Sequence, residues 1–320
     1  MRIDEVIRPP ALRPGDQVAV VSPSGPVRPD LVASGIALLR SWGLRPVPMP
    51  HAFDEHGYLA GSDEDRAADL TAALSDPQVR AVMVTRGGYG VQRIVDWLDL
   101  SVLRRDPKPV VGFSDLTALH LAIWRAAGVA SVYGPGAAWR PERTGEVSAQ
   151  SLQDVLMTTE PVVIKQDSAA PTAPASRLGG TAGLPVSVTG RLLGGNLCLL
   201  ATTIGSADFP DLTGAILLLE DVGEPPYKVD RMLTQLRRSG ALSGLAGVAL
   251  GQFVRCHDPD PTHPVDVADV LGERLGDLGV PVLGGLPIGH GHNQVSVPLG
   301  VPATMDVLGG TLTVSPAVRA

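Results

Sequence analysis

Cysteine, lysine and aromatic side chains are scarce in this 320-residue chain, and it has no long apolar run. The two cysteines, Cys198 and Cys256, stand far apart; this excludes a disulfide framework and fits a reducing compartment. Lysine occurs three times (Lys108, Lys165, Lys228), so arginine carries nearly all the positive charge, a coding bias without functional weight. The net charge of −7 argues against nucleic acid or an anionic membrane as a partner, since both want a basic face. No apolar run approaches the roughly 18 residues of a membrane span. The opening MRIDEVIRPP has neither an apolar h-region nor an A-x-A site. The expectation is a soluble, cytoplasmic protein.

Glycine (37) and proline (29), by contrast, are abundant. Neither is periodic, which excludes collagen and solenoid repeats, and 44% hydrophobic content argues against wholesale disorder. The excess points to many tight turns between short elements.

Between those turns, strand and helix patterns alternate. Strands are predicted over 16–22, 45–49, 79–85, 109–113 and 129–133, with helices over 31–44, 63–74 and 115–127. Such alternation means βαβ units and a largely parallel sheet, whose loops gather at one carboxyl edge where ligands bind. The pattern dissolves over 165–187, rich in Ala, Pro, Ser, Thr and Gly, which reads as a linker. Beyond it, strands are predicted over 188–193, 214–220, 246–253, 295–297, 303–308 and 311–314, and helices over 227–238 and 265–278. The expected fold class is α/β: an N-terminal domain over 1–164, then a smaller mixed α+β domain over 188–320. A site between the halves is the natural place for a ligand.

Four stretches carry the chemistry. Ser114, in VVGFSDLT, sits where a buried strand turns into a helix. It either caps that helix or presents a hydroxyl at the sheet edge, with the Asp115 N–H pointing the same way. The G-x-S part resembles a nucleophile elbow, with Leu116 in place of the second glycine. Arg86-Gly-Gly-Tyr-Gly follows another strand and is either a plain turn or a backbone that approaches a ligand and donates to an oxyanion. Glu220 ends the most apolar strand of the second half and is either a capping or turn residue or a site group; Asp221 and Glu224 are the better capping candidates. His290, between two glycines, belongs to a loop at a surface or cleft, with His292 as competitor. The group Cys256, His257, Asp258, Asp260 and His263 lacks the paired spacing of a zinc site and reads as a polar loop. His120 reads as a packed or surface helix residue.

In order and wording, these motifs resemble the LD-carboxypeptidases, serine peptidases that include muramoyltetrapeptide carboxypeptidases and microcin C self-immunity hydrolases. The likeness runs from Leu12-Arg-Pro-Gly-Asp and Val21-Ser-Pro-Ser-Gly through Arg86-Gly-Gly-Tyr-Gly and Gly112-Phe-Ser-Asp. It continues through Gly190-Arg-Leu-Leu-Gly-Gly-Asn and Leu219-Glu-Asp-Val-Gly-Glu to Gly285-Leu-Pro-Ile-Gly-His.

The resemblance implies Ser114 as nucleophile, His290 as general base and Glu220 as the carboxylate that orients it. It also implies an oxyanion hole from the N–H groups of Asp115 and Gly88, a flavodoxin/Rossmann-like N-terminal domain and a homodimer. By charge, Arg86 and Arg191 are either grips for substrate or members of structural ion pairs, and Asn196 is a third candidate for substrate binding. No metal or organic cofactor is expected, because a serine, a base and a carboxylate suffice for acyl transfer.

Three functions remain open at this point. One is release of D-alanine from a murein tetrapeptide, and a second is hydrolysis of a peptidyl or aminoacyl adenylate, with Trp139 a possible stacking platform. The third is non-catalytic ligand binding by two domains.

Overall fold

Short apolar runs closed by glycine and proline turns build two sheets. The computed structural model describes residues 6–140, 144–173, 186–258 and 265–320. The first sheet uses β1 (Gln17–Val21), β2 (Arg45–Pro48), β3 (Val79–Val84), β4 (Val110–Gly112), β5 (Ser131–Tyr133) and β11 (Val297–Leu299). Their order is β11-β5-β4-β3-β1-β2, parallel throughout except where β11 runs antiparallel to β5. Helices Pro29–Ser41, Asp63–Ser75 and Thr117–Ala127 connect the strands. Their ends follow local chemistry: Ser62 Oγ accepts from the Asp65 N–H at one start, and left-handed Gly128 (φ 64°) stops the last. The central strands β1, β3 and β4 are buried on both faces, as a covered parallel sheet requires.

The second sheet has seven strands: β6 (Val162–Lys165), β7 (Ser187–Asn196), β8 (Ala215–Val222), β9 (Gly247–Val254), β10 (Val282–Leu283), β12 (Pro302–Asp306) and β13 (Thr311–Val314). Their order is β10-β9-β8-β7-β12-β13-β6; the β7-to-β10 side is parallel and the rest antiparallel. Helices Leu197–Thr203, Pro226–Arg238 and Val267–Leu275 pack on it through a core that includes Leu217, Leu219, Leu233, Leu250 and Leu271. The chain is thus a two-domain α/β protein with a mostly parallel N-terminal sheet and a mixed C-terminal one.

The halves share material at their seam. β6, just before the expected boundary at 164, pairs with β13 of the second sheet, and β11 from the second half completes the first. Of the expected linker, 174–185 lies outside the described residues. Its opening part is pinned: the Asp167 N–H donates to the Gly285 carbonyl, and Thr172 Oγ1 to that of Gly251. Helix Glu146–Met157, absent from the sequence reading, buries Leu152, Val155 and Leu156 against the first domain.

Candidate active site

Three loops at the carboxyl ends of β1, β3 and β4 converge on Ser114. That residue does not cap its helix: it lies in the left-handed region (φ 64°), inside a short 3₁₀ turn without any side-chain cap, ahead of Thr117–Ala127. A side chain held in that region costs about 1–2 kcal/mol and marks a position fixed by its surroundings. Space is equally tight. A Cβ on Gly87 would sit 2.9 Å from Ser114 Cβ and 3.2 Å from Ser114 Oγ, so only glycine lets the Arg86–Gly90 loop lie against the serine.

Asp115 ties the loops together from below. Its buried Oδ2 accepts from Ser24 Oγ (2.7 Å) and from the Val91 N–H (3.0 Å). Burial pushes its carboxyl above the usual range. Buried Arg66 donates to the Pro23 carbonyl and to Asp63, supporting the same loops. Its Nη1 would stand 2.6 Å from a Cβ on Gly90.

The second half brings a fully buried carboxylate to the seam. Glu220 lies where two steps along β8 (Leu219 to Asp221) match three along β9 (Leu250 to Phe253), so a bulge stands opposite it. Its Oε2 contacts His290 Nδ1 at 2.6 Å, while Oε1 accepts from Tyr133 Oη (2.7 Å) and Asn196 Nδ2 (3.3 Å). A carboxylate partner assigns the proton to His290 Nδ1 and leaves Nε2 as the basic atom. The ring of His290 packs on Phe113, the residue before Ser114, with centroids 4.8 Å apart. Gly289 (φ 118°) admits this arrangement, since a Cβ there would fall 2.4 Å from Glu220 Oε2. Gln252 steadies the loop: its Oε1 accepts from the Gly291 N–H at 2.7 Å. His292 is exposed.

The remaining candidates divide. Arg86 stays beside the serine loop, exposed, with Nη1 donating to the Pro26 carbonyl at 3.1 Å. Arg191 does not face the site: buried, it donates through Nε to the Gly300 carbonyl and lies 4.2 Å over the Trp124 ring. Asn196 is also buried; it bridges Glu220 and Asp221 (2.9 Å) and caps helix Leu197–Thr203 through Oδ1, so its polar atoms hold carboxylates. Asp221 is pushed up to about 7 by burial and by neighbouring Glu220. Trp139, considered as a platform, is packed in the first domain's core with Val18, Val20 and Leu152. Cys256 is buried, and Asp260 and His263 of its group lie outside the described residues.

Some features carried no sequence signal. Tyr133 sits in an ordinary apolar strand, and His120 is fully buried behind it, its Nε2 donating to the Gly112 carbonyl at 2.9 Å. His51, Asp54 and Asp65 gather within 4.8 Å of one another, but His51 Nδ1 is engaged by Asp54 at 2.8 Å and its N–H by Asp69, a loop clamp. A groove of about 950 Å³ lies apart from these side chains, between Trp42, helix Glu146–Met157 and β6.

Comparison with known proteins follows the same two-part division. A family model for the LD-carboxypeptidase N-terminal domain matches residues 18–134, and one for the LD-carboxypeptidase C-terminal domain matches 189–305. The chain is 44% identical over 314 residues to a putative carboxypeptidase of Streptomyces coelicolor, covering 97% of this chain and 96% of that protein. It is 32% identical to the murein tetrapeptide carboxypeptidase of Pseudomonas aeruginosa, over 91% of this chain and 93% of the relative. A structure of MccF in complex with glutamyl sulfamoyl guanosine superposes with a TM-score of 0.83 at 22% identity, covering 96% and 98% of the two chains; this likeness is one of fold.

Proposed function

The chain belongs to the LD-carboxypeptidase family of hydrolases, and from that premise we propose that it removes the terminal D-alanine from a murein tetrapeptide by serine acyl transfer. The observation that carries this reading is the 2.6 Å His290–Glu220 pair, with the His290 ring packed at a tilt on Phe113, the residue before a serine in left-handed conformation.

In the proposed reaction His290 Nε2 takes the Ser114 hydroxyl proton as Oγ attacks the L,D peptide carbonyl. The N–H groups of Asp115 and Gly88 receive the developing oxyanion, each worth about 3–4 kcal/mol in such sites. Collapse breaks the C–N bond; His290 returns the proton to the departing amine of D-alanine and leaves an acyl-enzyme on Ser114. Water, deprotonated by the same imidazole, then releases the shortened peptide. Glu220 keeps the ring oriented and stabilises the imidazolium. Arg86, exposed beside the serine loop, pairs with the terminal carboxylate. We assign the activity to the cytoplasm and to a homodimer, for which sedimentation should give twice the 33.3 kDa chain mass.

Hydrolysis of an adenylate conjugate, the alternative, rests on likeness in fold, and buried Trp139 offers it no stacking surface. Mass spectrometry of products from a murein tetrapeptide and an acyl-sulfamoyl adenylate separates the two. Wild type should release D-alanine from the first, and Ser114→Ala should release none while keeping its melting temperature. Undiminished release by Ser114→Ala would sink the mechanism.

A further inference from the structure

Tyr133 belongs to none of the motifs that pointed to the site, yet its hydroxyl touches both halves of it. It is the last residue of β5, fully buried. Its Oη accepts from the Ser114 N–H at 3.1 Å and donates to Glu220 Oε1 at 2.7 Å. Thr117, on the helix after the serine turn, accepts from the Asn196 N–H through Oγ1 at 2.9 Å. The phenol's one proton thus goes to the carboxylate, and a lone pair takes the Ser114 N–H. Burial and the Glu220 carboxylate hold the phenol protonated, well above its usual range, so the direction of donation is fixed.

We propose that Tyr133 is a positioning residue that sets the basicity of His290 through Glu220 and withholds the Ser114 N–H from the oxyanion hole. The inference rests on the acyl-transfer reading above. Two donors, Tyr133 and Asn196, converge on Oε1 and leave Oε2 to His290. Each donor spreads the carboxylate's charge, so removing one makes Glu220 a stronger partner for the imidazolium. The groups facing this carboxylate are His290, Tyr133 and Asn196, with Asp221 beside it on β8 and Cys256 beyond β9; His120 backs the Tyr133 ring at 5.9 Å between centroids. With the Ser114 N–H committed to Tyr133, the hole is left to Asp115 and Gly88.

The test is the pH dependence of kcat/KM in Tyr133→Phe beside wild type and Ser114→Ala, all full length. The variant keeps the ring and loses only the hydroxyl. Its kcat should fall roughly 10–100-fold with KM within about twofold, as expected for lost orientation at the reacting group. The acid limb of the profile should move to higher pH, because a more basic Glu220 holds the imidazolium longer.

Should Tyr133→Phe fail to fold, 3-fluorotyrosine in place of all four tyrosines gives the opposite reading. Tyr58, Tyr89 and Tyr227 are exposed, and Tyr133 alone is buried. A more acidic phenol donates more strongly to Glu220, so the acid limb should move to lower pH. An acid limb that stays in place in either experiment overturns the inference. Full activity in Ser114→Ala overturns the reading beneath it instead.

Discussion

The two strand ends that meet at the site are aimed by different devices. β4 stops at Gly112, and within two residues Ser114 has turned into the left-handed region. The turn is short in sequence: strand, left-handed residue, 3₁₀ turn, helix. β8 instead runs on past Glu220 to Val222, and what accommodates the carboxylate is a misfit in the neighbouring strand, with Gly251 and Gln252 of β9 opposite it. Gly289 then leaves room for the carboxylate where a methyl group would collide. The serine is aimed by the handedness of its own backbone, and the His–Glu pair by the room its neighbours leave.

The largest effect is expected at the second device. Glu220→Gln keeps the volume and removes the charge, and kcat should drop by about 10⁴, as when the carboxylate of a triad is neutralised; steady-state kinetics on the released D-alanine reads it. Gly289→Ala comes next. With its Cβ 2.4 Å from Glu220 Oε2 at φ 118°, kcat should fall about 10²-fold, with a loss in denaturant stability of roughly 1–3 kcal/mol. Activity and stability both at wild-type levels would mean that the loop shifts freely, and the contrast drawn above would fail.

The elbow has its own weak point in acid. His120 holds the Gly112 carbonyl in neutral form, its titration lowered to about 4 by burial. The unfolded chain binds that proton near pH 6.5. Stability is therefore present above 6.5, falls as the pH drops towards 4, and levels below it, a loss of about 3 kcal/mol. Buried Asp221 acts with the opposite sign over the same range. The reading is therefore the difference in urea stability between wild type and His120→Gln, which should move against wild type by that amount as the pH falls from 6.5 to 4. The smallest effect separates strain from chemistry. Ser114→Gly should gain about 1 kcal/mol of stability by relieving the left-handed side chain, while hydrolysis is lost; no gain would mean that the turn is unstrained.

The same contrast explains what the sequence disclosed. The alternating domain, the mixed second domain and most strands were legible within a few residues, because apolar runs and their glycine or proline ends are local signals. Ser114, Glu220 and His290 were legible as motif positions. That Ser114 is not a helix cap was not, since backbone handedness at a serine leaves no mark in composition. Tyr133 was invisible for a different reason: its partners come from the turn after β4 and from β8, and only tertiary packing brings them to one hydroxyl. Arg191 and Trp139 misled because a lone arginine or tryptophan reads as available for ligand until the core that covers it is known.

One pairing made at the seam reaches further. Val297 of β11 lies in register with Tyr133 of β5, so the strand bearing the phenol is bordered by a strand that follows about half the chain's length later. The first domain alone, expressed without that strand, would present an open β5 edge at the very residue that holds the serine turn. The serine turn is thus bordered on its β5 side by a strand from the second half of the sequence. Heating intact protein should accordingly give one cooperative transition, with activity and both sheets lost together.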